Sequence, residues 1–178
     1  MRTTLAKLVD RVAYYEWAYG HLGEQDSDIG PVGEFLVGKL LKCLPKFRSV
    51  NALFDLELKK GDRTIGIEVK TTSLRKKRRD RKVEQYEWKI RTQKACVEGR
   101  RELAPLWIFL AADFPNAKAA SRRFDPFDHK YWRAWLATGD QIRASKVKNM
   151  VSESTLARLG VEPVPLAKLA NKVATLLR

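Results

Sequence analysis

A chain of 178 residues has room for one domain with a real core, and its 44% hydrophobic and 10% aromatic content is that of a globular protein rather than a disordered or low-complexity one. Its 35 Lys and Arg against 21 Asp and Glu leave a net charge of +14, which favours a polyanionic partner such as nucleic acid, a ribosome or an anionic membrane surface. No apolar run approaches the ~20 residues of a membrane span, the charged N-terminal segment does not read as a signal peptide, and Cys43 and Cys96 are isolated thiols, suited to a reducing cytoplasm and unable to make a Cys-x-x-Cys metal pair.

Leu5, Leu8, Val9 and Val12 recur at helical spacing behind the candidate caps Thr3 and Thr4, predicting a first helix to about Tyr19. Gly20 to Gly30 is a polar loop, and Pro31 suits the first position of a second helix running to about Leu44, with Val32, Phe35, Leu36 and Leu40 inward. Glu34 falls in its first turn, off the apolar stripe, where a carboxylate complements the helix N-terminus.

Two alternating runs follow. Leu53 to Leu58 sets Phe54, Leu56 and Leu58 against Asp55 and Glu57, and Ile65 to Lys70 sets Ile65, Ile67 and Val69 against Gly66, Glu68 and Lys70. Between them Lys60-Gly61-Asp62-Arg63 carries Gly where a two-residue type II′ turn needs it. Pairing Lys60 with Arg63 brings Asp55 opposite Glu68, and directly opposed residues have Cβ atoms roughly 4.5–5.5 Å apart. Two carboxylates so placed repel unless a cation lies between them, and Lys70 stands on the same face. The pattern is that of a divalent-metal site with an adjacent ammonium. Glu-x-Lys also occurs at Glu57-Leu58-Lys59, beside the turn, and at Glu87-Trp88-Lys89, in a predicted helix. Only the middle copy sits in an apolar strand facing a carboxylate.

Thr71 to Lys82 contains Arg75, Lys76, Lys77, Arg78, Arg79, Arg81 and Lys82, a self-repelling block expected to be a mobile loop that either is merely solvated or grips the phosphates beside the site. Val83 to Val97 reads as a helix with Val83, Tyr86, Ile90, Gln93 and Val97 inward, and Gln93 is an amide on an apolar face that needs a partner. Pro105 to Ala112 is a continuous apolar run, as in a central strand covered on both faces. Asp113 to His129 is irregular, Tyr131 to Ala137 alternates as another strand, with a short helix as the alternative because Trp132 and Trp135 lie three apart, and Ser152 to Leu159 and Leu166 to Leu177 are closing helices. The whole predicts an α/β chain with a mixed β-sheet flanked by helices, in one domain over 1–178.

Asp55, Glu68 and Lys70 resemble the PD-(D/E)XK nuclease superfamily, from about Gly33 to Asp113, although Phe54 stands where that motif has Pro. The resemblance implies a restriction-endonuclease-like fold with a core at 31–113. It implies that Asp55 and Glu68, with the Val69 carbonyl and a helix carboxylate such as Glu34, hold Mg²⁺ or Mn²⁺. It also implies that Lys70 steadies the attacking water or the scissile phosphate, and that Gln93 lies beside the metal-bound water. Only His21 and His129 are present, both far from the hairpin, and there is no GxxxxGK[ST] loop. Histidine–metal chemistry and an NTP-driven motor are therefore not expected.

The expectation is an Mg²⁺-dependent DNA endonuclease in the cytoplasm, at the nucleoid, acting on DNA as a homodimer. A small type II restriction enzyme comes first and a junction resolvase or repair nuclease second. The competing class is a nucleic-acid-binding module on the same fold without turnover.

Overall fold

Alternation, more than helical period, organises the middle of this chain. The computed structural model describes residues 12–18, 29–46, 53–72, 75–77, 84–90, 103–112, 127–147 and 149–178, with 75–77 and 84 as backbone. Strands β1 (Leu56–Lys60) and β2 (Arg63–Thr72) form the predicted hairpin in the predicted register, from Leu56 opposite Ile67 to Lys60 opposite Arg63. Gly61 has φ 59°, and Asp62 is not among the described residues with positive φ. A type II′ turn requires that combination, a left-handed first central residue and an ordinary second one. The hairpin differs from expectation at its start. Residues 53–55 bend, β1 begins only at Leu56, and Phe54 packs on the opposite face from Leu56 and Leu58.

Strand β2 runs parallel to β5 (Leu106–Ala112), which pairs antiparallel with β6 (Trp132–Thr138), and short β8 (Val164–Pro165) completes a mixed sheet in the order β1-β2-β5-β6-β8. Every residue of β5 is buried, as a continuous apolar run demands. Ile67, Val69, Ile108 and Leu110 meet a layer of helices on one face: α1 (12–18), α2 (Ile29–Leu40) and α5 (Leu169–Leu176). Trp107, Phe109 and Trp135 meet a second, three-stranded sheet on the other. That sheet has the order β3 (Arg75–Lys77), β4 (Glu84–Lys89), β7 (Met150–Ser152), with α3 (Gly139–Ala144) and α4 (Glu153–Arg158) alongside. Thr138 caps α3 through a capping box with Gln141, and Ser152 caps α4, so each short helix starts where a strand stops.

The second sheet overturns two expectations. The helix expected over Val83 to Val97 is strand β4 where it is described, which also places Glu87-Trp88-Lys89 in a strand. Tyr86 and Ile90, four apart, satisfy both periods, and Trp88 between them decides the matter. All three are almost fully buried against the main sheet. The Trp88 indole donates to the Leu110 carbonyl at 2.7 Å, with its ring 5.1 Å from Trp135 and 5.3 Å from Phe109. That packing outweighs any helical preference of the segment. The basic block is not loop throughout either, since Arg75, Lys76 and Lys77 pair with Tyr86, Gln85 and Glu84. A run of like charge is tolerated there because β3 is an edge strand.

Helix α2 stops at Leu40 rather than Leu44. Lys42 adopts φ 55°, the Lys42 N–H donates to the Lys39 carbonyl at 3.2 Å and the Cys43 N–H to the Gly38 carbonyl at 2.9 Å, closing the helix as a Schellman motif does. Cys43 therefore lies outside the helix, and burial pushes its thiol up to about 11, so it stays protonated at neutral pH. Because α2 begins at Ile29, Glu34 falls in its second turn, beyond the N-terminal dipole's reach. Among the described residues no helix is long and apolar enough to cross a membrane.

Helix α2 approaches β2 at Gly33, where a Cβ would stand 2.0 Å from Thr71 Oγ1 and 3.1 Å from Leu110 Cδ1. Thr71 Oγ1 is itself buried without a hydrogen-bond partner. Gly33→Ala should therefore lose about 1–3 kcal/mol of stability by overpacking, whereas Thr71→Ala removes an unsatisfied hydroxyl and should be near neutral. Urea unfolding of both single variants and the double variant should show partial rescue. Additive losses would mean that the two positions do not touch.

Candidate functional site

The site is made by the charged side of β2. Alternation turns Glu68 and Lys70 away from Ile67 and Val69, and the parallel register sets them beside Trp107 and Phe109 of β5. That face is covered by the second sheet, so Glu68 is only 8% exposed. A carboxylate so placed needs a counter-charge.

Asp55 reaches this face because β1 begins only after it, at Leu56. From the bend at 53–55 its side chain turns back across β2, and the Val69 N–H donates to Asp55 Oδ2 at 2.8 Å. Phe54 holds the bend. A Cβ on Gly66 would stand 2.2 Å from Phe54 Cδ2, so the missing side chain in β2 is the seat of the ring. An isolated glycine inside an alternating strand signals this kind of close approach. Phe54 and Gly66 are the positioning pair that reading the motif alone overlooks.

Lys70 closes the arrangement. Its Nζ lies 2.5 Å from Glu68 Oε1 and 3.5 Å from Asp55 Oδ2, and donates to the Val69 carbonyl at 3.3 Å. One nitrogen at those two distances puts the carboxylate oxygens within 6.0 Å of each other. Burial alone lowers the pKa of the Lys70 ammonium. The charges of Asp55 and Glu68 and their hydrogen bonds together outweigh burial and hold it above the ordinary lysine value. The site keeps an open side, since the Asp55 and Lys70 side chains remain 22% and 25% exposed.

The ammonium thus sits in a cradle of three oxygens, two from carboxylates and one from a peptide carbonyl. These are hard donors of the kind that Mg²⁺ and Mn²⁺ take at ~2.0–2.6 Å, with no imidazole or thiolate among them. The donor set fits such an ion if Lys70 withdraws from between the carboxylates. Asp55, Glu68, Lys70 and Val69 are brought together as expected. Glu34 is not, because among the described residues no group of three or more His, Cys, Asp or Glu side chains is placed to hold a metal ion. It belongs to α2, which packs on the Ile67 and Val69 side of the sheet. Arg75, Lys76 and Lys77 begin three residues beyond the end of β2 at Thr72, as an edge strand paired with β4. Gln93, Arg78, Arg79, Arg81 and Lys82 lie outside the described residues.

No family model, curated protein or solved structure matches the chain.

The raised Lys70 pKa fixes the sign of a pH effect. A folded-state pKa above the unfolded one gives stability that is fully present below the ordinary lysine value of ~10.4 and is lost as pH rises through the folded-state value. Lys70→Met should be less stable than the unsubstituted protein by about 1–3 kcal/mol at pH 8, because two carboxylates lose their counter-ion. The gap should narrow as urea unfolding is repeated toward pH 11. A gap that is constant with pH would mean that the ammonium does not bridge the carboxylates.

Proposed function

We propose that this protein is a metal-dependent deoxyribonuclease on a restriction-endonuclease-like scaffold, hydrolysing phosphodiester bonds of DNA with Mg²⁺, for which Mn²⁺ substitutes. The observation that carries the reading is the convergence of Asp55, Glu68 and the Val69 carbonyl on one cation position, with Lys70 on the same face. A mixed five-stranded sheet with helices is compatible with that scaffold, and the net charge of +14 suits a polyanionic substrate.

In this reading Asp55 and Glu68 would hold the ion, with the Val69 carbonyl as a further ligand. The Val69 N–H fixes the Asp55 carboxylate, and Phe54 seated on Gly66 fixes the bend that delivers it. A divalent ion held there would supply Lewis-acid polarisation of the phosphoryl oxygen and a more nucleophilic water at neutral pH. Lys70, freed from the cradle, donates a hydrogen bond to the attacking water or to a phosphate oxygen. Glu68 is shielded from solvent by β4 and its neighbours, which strengthens the electrostatic contacts made on the open side. The basic stretch from Arg75 onward contacts the flanking phosphates. A small type II restriction enzyme, acting as a homodimer that cuts both strands, is the reading within this class; a junction resolvase or repair nuclease is its neighbour.

A second reading has its own observation. Lys70 already satisfies both carboxylates without a metal, as in a nucleic-acid-binding module that never turns over. Plasmid incubated with the purified protein separates the two. The nuclease reading expects cleavage with Mg²⁺ and none with EDTA. Asp55→Ala and Lys70→Ala should each lower the rate at least about a hundredfold, while DNA binding survives because other basic residues supply the phosphate contacts. Binding without cleavage under every divalent-metal condition would establish the module.

Changing Arg75, Lys76, Lys77, Arg78 and Arg79 to Ala should weaken binding to all DNA sequences alike. Each lost phosphate contact flattens the slope of log K against log salt by about 0.9. An unchanged slope would remove this stretch from the interface.

A further inference from the structure

The three-oxygen cradle is filled by a cation that the chain supplies itself. Lys70 Nζ takes one oxygen from Glu68, one from Asp55 and the Val69 carbonyl. Any free cation that loads this site has to remove the ammonium first. The ammonium is tethered by a four-carbon stem to the strand that carries two of the three oxygens, so its effective concentration at the cradle is set by the tether and not by the solution. A free monovalent ion offers the same unit charge without that advantage. A divalent ion offers twice the charge to the same pair of carboxylates, and the Coulomb attraction doubles with it.

We propose that Lys70 is the selectivity element of the cation site: its ammonium is the resident counter-ion of Asp55 and Glu68, excluding monovalent cations and yielding the cradle only to a divalent one. This rests on the metal-site reading above and adds a role that precedes any reaction. The geometry supports an exchange rather than a loss of the ammonium. The Lys70 side chain is 25% exposed and that of Glu68 10%, so the open side of the site is where a displaced ammonium goes, beside the position where the phosphate of a substrate meets the ion. Displacement also leaves the Asp55 carboxylate in place, because the Val69 N–H holds it independently of Lys70.

The test is a binding measurement, independent of turnover. Free Mn²⁺ is followed by electron paramagnetic resonance while it is titrated into the full chain and into Lys70→Met and Lys70→Gln. The Gln variant serves if the Met variant does not fold. Ionic strength is held constant with tetramethylammonium chloride, and Na⁺ is then exchanged for it. The expectation is one Mn²⁺ per chain, bound about tenfold more tightly when Lys70 is removed, equivalent to about 1.4 kcal/mol. Na⁺ should compete with Mn²⁺ in the variants and not in the unsubstituted chain. Affinity that is unchanged or weaker in both variants overturns the resident-ion role while leaving the metal site intact. Equal Na⁺ competition with and without Lys70 overturns the selectivity. An absence of specific Mn²⁺ binding in all three proteins overturns both this inference and the metal-site reading beneath it.

Discussion

Strand β2 has to serve two interiors at once. Its Ile67 and Val69 side meets a layer of helices, and its Glu68 and Lys70 side lies under a second sheet. Burying Glu68 there creates an electrostatic demand that the fold must meet within a few ångströms. The ammonium of Lys70 meets it, and the same ammonium draws in Asp55 from the bend before β1. The late start of β1, the glycine at position 66 under the Phe54 ring and the Val69 N–H to Asp55 are all arranged around that charge pair.

Stability is a poor explanation for such an arrangement. Charges taken out of water lose several kcal/mol of hydration each, and buried ion pairs are often no better than the apolar residues that could replace them. This chain has apolar residues to spare along the same strand, and β5 beside it is apolar throughout. Two carboxylates and an ammonium held together with an open side are what the proposed cation site would require. The electrostatics at Lys70 have the same sign: burial lowers its pKa, and the charges and hydrogen bonds of Asp55 and Glu68 raise it above the ordinary lysine value.

Much of this was legible in the residues, for physical reasons. The hairpin register followed from strict alternation and from one glycine at the turn, both local properties of the chain. The central strand announced itself because burial on both faces leaves no room for polar residues. Strand β4 is not legible in the residues, because Tyr86 and Ile90 fit two periods and the partners that decide between them, Trp135, Phe109 and the Leu110 carbonyl, are distant in sequence. The bend at Asp55 was hidden as well, since alternation ran through Phe54 without a break while its ring faces the other side of the sheet. Of the three Glu-x-Lys copies, the one in β4 is also buried in a strand, but Glu87 faces Ser152 across the ladder and not a second carboxylate. Opposed charge, rather than the triplet itself, is what distinguishes the site on β2.

In the reading proposed above, Asp55, Glu68 and the Val69 carbonyl form a cation position held by Lys70 until a divalent ion arrives. Anomalous diffraction from crystals soaked in Mn²⁺ tests it most directly. One strong peak is expected within about 2.0–2.6 Å of an oxygen of both Asp55 and Glu68, with the Lys70 ammonium moved out of the cradle. A map with no peak there, and Lys70 still bridging the two carboxylates at saturating Mn²⁺, would contradict it.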